Sequence, residues 1–434
     1  MVRVIHTGNE LLDFVATIIY FILVSYPILG SFAWFIGVLC YSFLFKYKHI
    51  DWAEIPTEVE PFITIMVPAH NEEVVIEDTI DYLMTKINYG NYEVLVTDDG
   101  STDETPAILA RLQKKYPKLR VIRIDKNKGK AHAFDIGMAF AKGQLILSND
   151  ADTVPEPDAL SNYVNYFIRP GGRNISAVTA NMDVKNRTSL LGKSQTVEFS
   201  SIVGIIKRTQ AGVLGGLYAY SGANTMYRKD ALIDVGGFRQ DRATEDISIA
   251  WDHQLNGWIS VFAPTIIFFM EVPVSLPMLY RQRKRWAKGG TEVWLTNFKK
   301  VLFHPFENIG RTFMFIDQTF SIIWSLFFCI SFFVFIILMG IYLYQGNFEQ
   351  IYRTLTISFL FVCFEMISGI IQLIASLVVD DQGRKLKYML FAPLYMLLFW
   401  MVNAITIMTT FIPAIKTILG YGSGTWKSPE RKSE

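Results

Sequence analysis

Apolar and polar positions divide the chain into stretches of two kinds. Residues 11–46 (LLDFVATIIYFILVSYPILGSFAWFIGVLCYSFLFK) are almost continuously apolar, with Asp13 the only charge before Lys46. About 20 apolar residues suffice to cross a bilayer, so this run predicts at least one membrane helix. It is too long for a signal peptide, and no small-residue cleavage site follows it. Three further apolar runs occupy 318–345, 354–379 and 388–415. From 52 to 300 the charge density is that of a water-facing domain. The pattern predicts a membrane protein with a large polar-surfaced domain between its membrane segments.

Within that domain, short β-rich runs alternate with stretches of helical spacing. FITIMVPAH (62–70), YEVLVTDDGS (92–101), LRVIRIDK (119–126) and QLILSNDAD (144–152) read as strands. NEEVVIEDTIDYLMTK (71–86), TDETPAILARLQKKY (102–116) and KAHAFDIGMAFA (130–141) read as helices, the second capped by Thr102 or Asp103. Such alternation predicts a mostly parallel α/β sheet. Ligands of parallel sheets bind at the carboxyl ends of the strands. Acids stand at those ends here, with Asp98 and Asp99 after one strand and Asp150 and Asp152 after another.

Composition sharpens this picture. The 434 residues are 51% hydrophobic, yet the formal net charge is only +1, which argues against a nucleic-acid binder. Cys40, Cys329 and Cys363 all lie in apolar runs without a CxxC pair, so they read as small hydrophobes and not as a disulfide or zinc framework. Lys46, Lys48 and His49, the basic residues of 281–300 and GRKLK (383–387) place the domain and the 380–387 loop in the cytoplasm by the positive-inside rule. Three full crossings after the domain would carry the tail (TWKSPERKSE) to the other side, although its charges favour the cytoplasm. A break at Pro393 or a segment lying in the interface would reconcile the two.

Five constellations carry candidate chemistry. DAD (150–152) puts two carboxylates on one side of an extended segment, a hard-oxygen pair for Mg2+ or Mn2+; an Asp-rich loop start is the plainer reading. VTDDGSTD (96–103) offers carboxylates beside a glycine that permits close approach. NKGKAHA (127–133) sets Lys130 at a helix start, where N–H groups and a cation suit phosphate. TEDISIAWD (244–252) opens a helix with Glu245 and Asp246, either as dipole-favoured acids or as a general base. YRQRKRWAKGG (280–290) gathers cations around a tryptophan beside the membrane region, more than a topology signal requires.

In this order and at these separations, VPAHNEE, DDGSTD, NKGKAHA, NDAD, TED and QRKRW resemble the motifs of inverting family 2 glycosyltransferases. More narrowly they resemble the membrane-bound processive synthases of cellulose, hyaluronan, chitin and poly-N-acetylglucosamine. Gln282, Arg285 and Trp286 match the Gln-x-x-Arg-Trp motif of those enzymes. The stretch 186–210 and WKSPER (426–431) are similar to bacterial poly-β-1,6-N-acetylglucosamine synthases.

The resemblance implies a GT-A type α/β domain over 51–295, preceded by a membrane segment (1–50). An interfacial helix (296–316), a membrane region forming a polymer channel (317–416) and a cytoplasmic tail (417–434) would follow. It implies an enzyme of the plasma membrane, bacterial in origin, that polymerises a UDP-sugar, UDP-N-acetylglucosamine first, into an extracellular polysaccharide and translocates it. Ala69, Asn71 and Glu72 would line the uracil pocket, Asp98 and Asp99 would meet uridine, and Lys130 the diphosphate. Asp150 and Asp152 would contact the sugar phosphate and a Mg2+ or Mn2+ ion. Asp246, with Glu245 beside it, would deprotonate the acceptor hydroxyl as it attacks the anomeric carbon. Arg283 or Arg285 would face the diphosphate, since forked cations stabilise a leaving group of developing negative charge. Trp286 would stack on the terminal acceptor sugar, and Ser221, Gly222 and Ala223 would position the growing chain. Asp317 and Glu365, acids in or near apolar runs, are candidates for the channel lining. The bilayer, the growing chain and a small membrane accessory subunit are the implied partners, and nucleic acid is not. Three alternatives keep part of this pattern: a non-processive enzyme adding one sugar to a lipid carrier, a synthase of a glucan, hyaluronan-like or N-acetylmannosamine polymer, and a transporter or receptor with a regulatory domain.

Overall fold

The computed structural model describes residues 10–48 and 59–421. An eight-stranded mixed sheet in the order β3-β2-β1-β4-β7-β6-β8-β5 carries the polar-surfaced domain. Strands β1 (Ile63–Ala69), β2 (Tyr92–Asp99), β3 (Leu119–Ile124) and β4 (Leu145–Asn149) form its parallel half. Every residue of β1, β2 and β4 is buried, which explains why their sequences run apolar instead of alternating. Ile63, Ile65 and Val67 pack on one face with Ile76, Ile80 and Leu83, while Met66 packs on the other with Ala131 and Phe134.

The helices of this half are α2 (Ile76–Thr85), α3 (Thr105–Lys115) and α4 (Lys130–Phe140). The helix expected over 71–86 starts only at Ile76. Asn71 adopts a left-handed φ of 57°, a conformation asparagine tolerates better than most residues, and the Glu72 carbonyl then closes a turn with the N–H groups of Val75 and Ile76.

The second half adds β5 (Val154–Pro155), helix α5 (Ala159–Ile168), β6 (Ile175–Val184), β7 (Asn224–Arg228) and β8 (Ile259–Met270). Strand β7 is antiparallel to β4, with Asn149 opposite Asn224. The 215–223 loop is thereby delivered to the carboxyl end of β4. Helix α6 (Leu190–Ser201) continues through π-helical turns at Ile202–Ile206 and Gln210–Leu214, insertions that concentrate at functional sites. Helix α7 (Glu245–Leu255) follows β7, and α8 (Leu276–Phe303) follows β8. QRKRW lies wholly within α8, which has Pro277 in its first turn and ends at Phe303; the interfacial helix expected at 296–316 is thus divided at 304–308, its second part opening the helix Ile309–Tyr344.

Among the described residues, four segments are long and apolar enough to cross a membrane: Asp13–Leu44, Ile309–Tyr344, Phe348–Val379 and Leu386–Ile418. Their helices are α1 (Glu10–Lys48), α9 (Ile309–Tyr344), α10 (Phe348–Val379) and α11 (Trp400–Ile418), the last preceded by short helical turns from Leu386. No hairpin forms at Pro393; a π-turn at Tyr395–Phe399 carries the helix onward. The chain is a membrane protein. The loop after α10 is locked to the domain: buried Asp380 accepts from Ser200 Oγ (2.9 Å) and Lys385 Nζ (2.8 Å), and Lys385 also reaches Asp183 (2.8 Å). The 380–387 loop therefore lies on the domain's side of the membrane region.

Candidate active site

Strand β4 ends at Asn149, whose Nδ2 donates to the carbonyls of Asp150 and Thr153 at 2.8 Å. The chain turns there, so DAD is not the extended segment its spacing predicts. Asp152 accepts from Thr153 Oγ1 (3.1 Å), while Asp150 Oδ1 lies 2.6 Å from Lys130 Nζ. The two carboxylates still feel each other. Burial raises the Asp150 pKa, Lys130 opposes the rise, and the charge of Asp152 adds to it.

Lys130 opens α4 directly after Gly129, whose φ of 99° favours glycine. Asp99 fixes this loop by accepting from the Gly129 N–H (2.8 Å) and the Lys128 N–H (3.1 Å). Lys130 Nζ then reaches three oxygens: Asp150 Oδ1, Glu245 Oε1 at 3.2 Å and the Gly222 carbonyl at 3.3 Å. Glu245 and Asp246 open α7, as the sequence predicts. Asp246 Oδ2 accepts the Gly222 N–H at 3.1 Å, and its Oδ1 accepts the Ile247 N–H at 2.9 Å. A methyl group on Gly222 would lie 3.0 Å from Lys130 Nζ, 3.2 Å from Glu245 Oε1 and 3.5 Å from Asp246 Oδ2. Two separate motifs thus converge on one glycine, and Lys130 links the third to them through Asp150.

The electrostatics separate the two neighbouring acids. Burial and the Glu245 charge raise the Asp246 pKa, with Lys130 and Arg285 opposing. Burial also works against Glu245, but Lys130 and Arg285 hold it below its ordinary value. Pairs driven apart in this way divide acid and base roles. Burial disfavours the charge on Lys130, yet Asp150 and Glu245 keep it protonated far above the usual range.

Lys207, which the sequence reading did not single out, is buried between the two π-helical turns. Burial lowers its pKa to about 8 against the attraction of Asp246. It makes no ion pair within 4 Å among the described residues. Its only sequence signal is a cation ending the apolar run IVGII.

The remaining expected residues divide into two groups. Ala69 pairs in register with Asp98, Asp98 Oδ1 accepts the Ser101 N–H (3.0 Å), and Asn71 Oδ1 accepts the Thr102 N–H (2.8 Å). Glu72 is buried, its N–H donating to Thr105 Oγ1 at 2.9 Å. These residues lie at the carboxyl ends of β1 and β2. Ser221 and Ala223 are buried supports, and Gly222 makes the contacts. From α8, Arg285 acts electrostatically on Lys130, Glu245 and Asp246.

Arg283 does not join them. Its guanidinium is buried against Glu198 of α6 (2.6 Å) and covers the Trp286 ring at 4.0 Å. One face of Trp286 is thus occupied, and the ring also packs on the cluster of Val184, Phe199 and Val272. Gln282 Oε1 is buried without a hydrogen-bond partner among the described residues. Asp317 approaches Tyr26 Oη at 3.5 Å.

Residues 64–236 match the family described as glycosyl transferase family 2. Over 419 residues the chain is 30% identical to a poly-β-1,6-N-acetyl-D-glucosamine synthase of Staphylococcus epidermidis, covering 95% of this chain and 98% of that relative. The chain belongs to glycosyl transferase family 2. The synthase of the same description from Staphylococcus aureus (strain COL) is also 30% identical, over 430 residues covering 94% and 97%. The mannosyltransferase PcManGT from Pyrobaculum calidifontis, solved in complex with GDP-Man and Mn2+, shares the fold of this family 2 glycosyltransferase. Its TM-score is 0.54 at 19% identity, covering 83% of this chain and 99% of that one. The expected GT-A type architecture and the glycosyltransferase activity both stand.

Proposed function

We propose that this enzyme is a processive polysaccharide synthase that transfers N-acetylglucosamine from UDP-N-acetylglucosamine with inversion and passes the β-linked chain through the membrane. The observation that carries this reading is the convergence of Lys130, Glu245 and Asp246 on Gly222, with Asp150 joined to them through Lys130 and α8 leading into the membrane bundle. Full-length similarity to the staphylococcal synthases supports the polysaccharide product and the choice of sugar.

Asp246 takes the proton of the acceptor hydroxyl as that oxygen displaces the nucleoside diphosphate. Its raised pKa improves it as a base near neutral pH. Lys130 and Arg285 offset the negative charge that grows on the leaving group. A divalent ion, Mg2+ or Mn2+, would be held by Asp150 and Asp152 and would neutralise the diphosphate. These residues fit it: they are two hard-oxygen donors close enough for their charges to act on one another, and such ions commonly take one or two carboxylates plus substrate phosphates.

A cavity of about 210 Å³ lies within the membrane bundle, lined by Trp34, Trp324, Trp400, Ser31, Gln372 and Asn403, with Ser201 and Ile206 below it. Aromatic faces interspersed with hydroxyl and amide groups suit a saccharide in transit. Glu365 and Asp317 are not among its lining residues. With four crossings and the domain in the cytoplasm, residues 10 and 421 emerge on the far face. The tail expected in the cytoplasm (417–434) falls mostly outside the described residues.

Incubating the purified chain with a panel of UDP-sugars and Mg2+ or Mn2+, then sizing and linkage-typing the product, tests the proposal. A single sugar on a lipid, or full activity in Asp246→Asn, would reject it.

A further inference from the structure

The 215–223 loop is laced along α7, the helix that Glu245 and Asp246 open. Gln254 Oε1 accepts the Leu217 N–H at 3.0 Å, and its Nε2 donates to the Leu217 carbonyl at 2.7 Å, as a neighbouring strand would. Trp251 Nε1 donates to the Tyr218 carbonyl at 3.0 Å. Tyr220 Oη meets His253 Nδ1 at 3.2 Å, and the Gly222 N–H closes the series on Asp246 Oδ2 at 3.1 Å. The Ser221 N–H turns the other way, to Thr179 Oγ1 and Thr225 Oγ1 of the sheet. Between the Trp251 contact and Gly222, Tyr220 therefore ties the loop to the helix of the proposed base.

Packing does not call for the polar atoms of this pair. Tyr220 and His253 are fully enclosed, and the tyrosine ring meets Tyr227 edge-on at 5.8 Å within a cluster that includes Val203, Leu217 and Phe262. Phenylalanine would fill that space equally well. A buried hydroxyl costs stability unless it is paired, and this one is paired twice, with Ser260 Oγ at 2.6 Å and with the imidazole. Burial holds His253 neutral, its pKa lowered to about 4 against the pull of the Ala231 carbonyl, Asp252 and Asp234. A neutral imidazole keeps one accepting nitrogen. With Ser260 donating to Tyr220 and Tyr220 donating to Nδ1, the tyrosine hydroxyl gives one hydrogen bond and takes one.

We propose that Tyr220 and His253 are positioning residues for the transfer step: their hydrogen bond fixes the 215–223 loop to α7 and so holds the Gly222 N–H on Asp246 Oδ2. Neither side chain touches the reacting atoms. The pair makes the loop and the base one unit, so that the carboxylate is aimed before an acceptor arrives. The coupling rests on the reading of Asp246 as the base.

The test uses the full chain in nanodiscs with UDP-N-acetylglucosamine, and rates are normalised to the fraction of protein that binds UDP by calorimetry. A misplacement of about 1 Å costs roughly a hundredfold in rate, and losing one tie among several allows less. Tyr220→Phe and His253→Leu should each lower kcat about tenfold, with the donor KM within about twofold of wild type. The double variant should fall no further than either single one, because both remove the same bond. His253→Asn, whose Oδ1 can accept from Tyr220, should recover most of the loss seen in His253→Leu. Unaltered kcat in Tyr220→Phe, losses that multiply in the double variant, or a His253→Asn no better than His253→Leu overturns the coupling. So does a fall in rate fully matched by loss of folded, UDP-binding protein, which would make the pair structural. A wild-type chain that turns over no UDP-N-acetylglucosamine, or an Asp246→Asn that keeps its full rate, defeats the underlying reading and the coupling with it.

Discussion

Gly289 of α8 presses against Thr244, the residue that precedes the Glu245–Asp246 pair. A methyl group on the glycine would lie 2.6 Å from Thr244 Cγ2 and 2.7 Å from Thr244 Cβ. Glu292, one turn on and fully buried, accepts the Ala243 N–H at 2.8 Å. The helix carrying QRKRW therefore sets the place of Asp246, the proposed base, through backbone proximity, at a distance only glycine allows.

Gly289→Ala should push α8 away from the TED turn. A misplacement of about 1 Å at a reacting centre costs roughly a hundredfold in rate. We expect that loss in polymer synthesis, with donor-nucleotide binding by calorimetry retained.

Asp246 must be ionised to act, and its pKa is raised. Activity is then present above that pKa and lost as pH falls through it, so the acidic limb lies above that of an ordinary aspartate. Asp246→Asn should cost about 10²–10⁴-fold. Protonated Lys207 favours the ionised Asp246. Lys207→Met should therefore move the acidic limb to higher pH, and the two profiles should converge above about 8, where Lys207 itself is neutral. An unmoved limb would remove Lys207 from the base's environment.

Chelation of divalent ions should stop transfer, and Mg2+ or Mn2+ should restore it. Asp150→Asn should weaken Mn2+ binding in the presence of UDP by at least about tenfold, read by electron paramagnetic resonance independently of turnover.

Trp251 is fully buried in α7, stacking edge-on to Phe315 of α9 at 5.7 Å and donating from Nε1 to the Tyr218 carbonyl at 3.0 Å. Trp251→Ala should remove about 3–5 kcal/mol of stability, visible as a lowered Tm of the detergent-solubilised protein, because domain and membrane bundle meet at this ring.

Much of this arrangement was legible because it is local. The buried parallel strands read as apolar runs, and the acids at their ends fell where parallel sheets place ligands. The fall of Glu245 and Asp246 at a helix start also followed from spacing. What escaped was tertiary. Nothing near Glu198 in sequence announces that Arg283 will turn toward it, so spacing could not choose between Arg283 and Arg285 for the diphosphate. Period-two alternation could not foresee that Asn149 bends DAD into a turn, and the left-handed Asn71 delayed α2. The closeness of Gly289 to Thr244 joins residues 45 apart, which no window along the chain contains.

Lodged among Asp150, Glu245 and the Gly222 carbonyl, Lys130 gives the nest a counterion on a tether. On the proposed function, Lys130 would screen these carboxylates before a divalent ion is held by Asp150 and Asp152, and its ammonium would then be available to the phosphates.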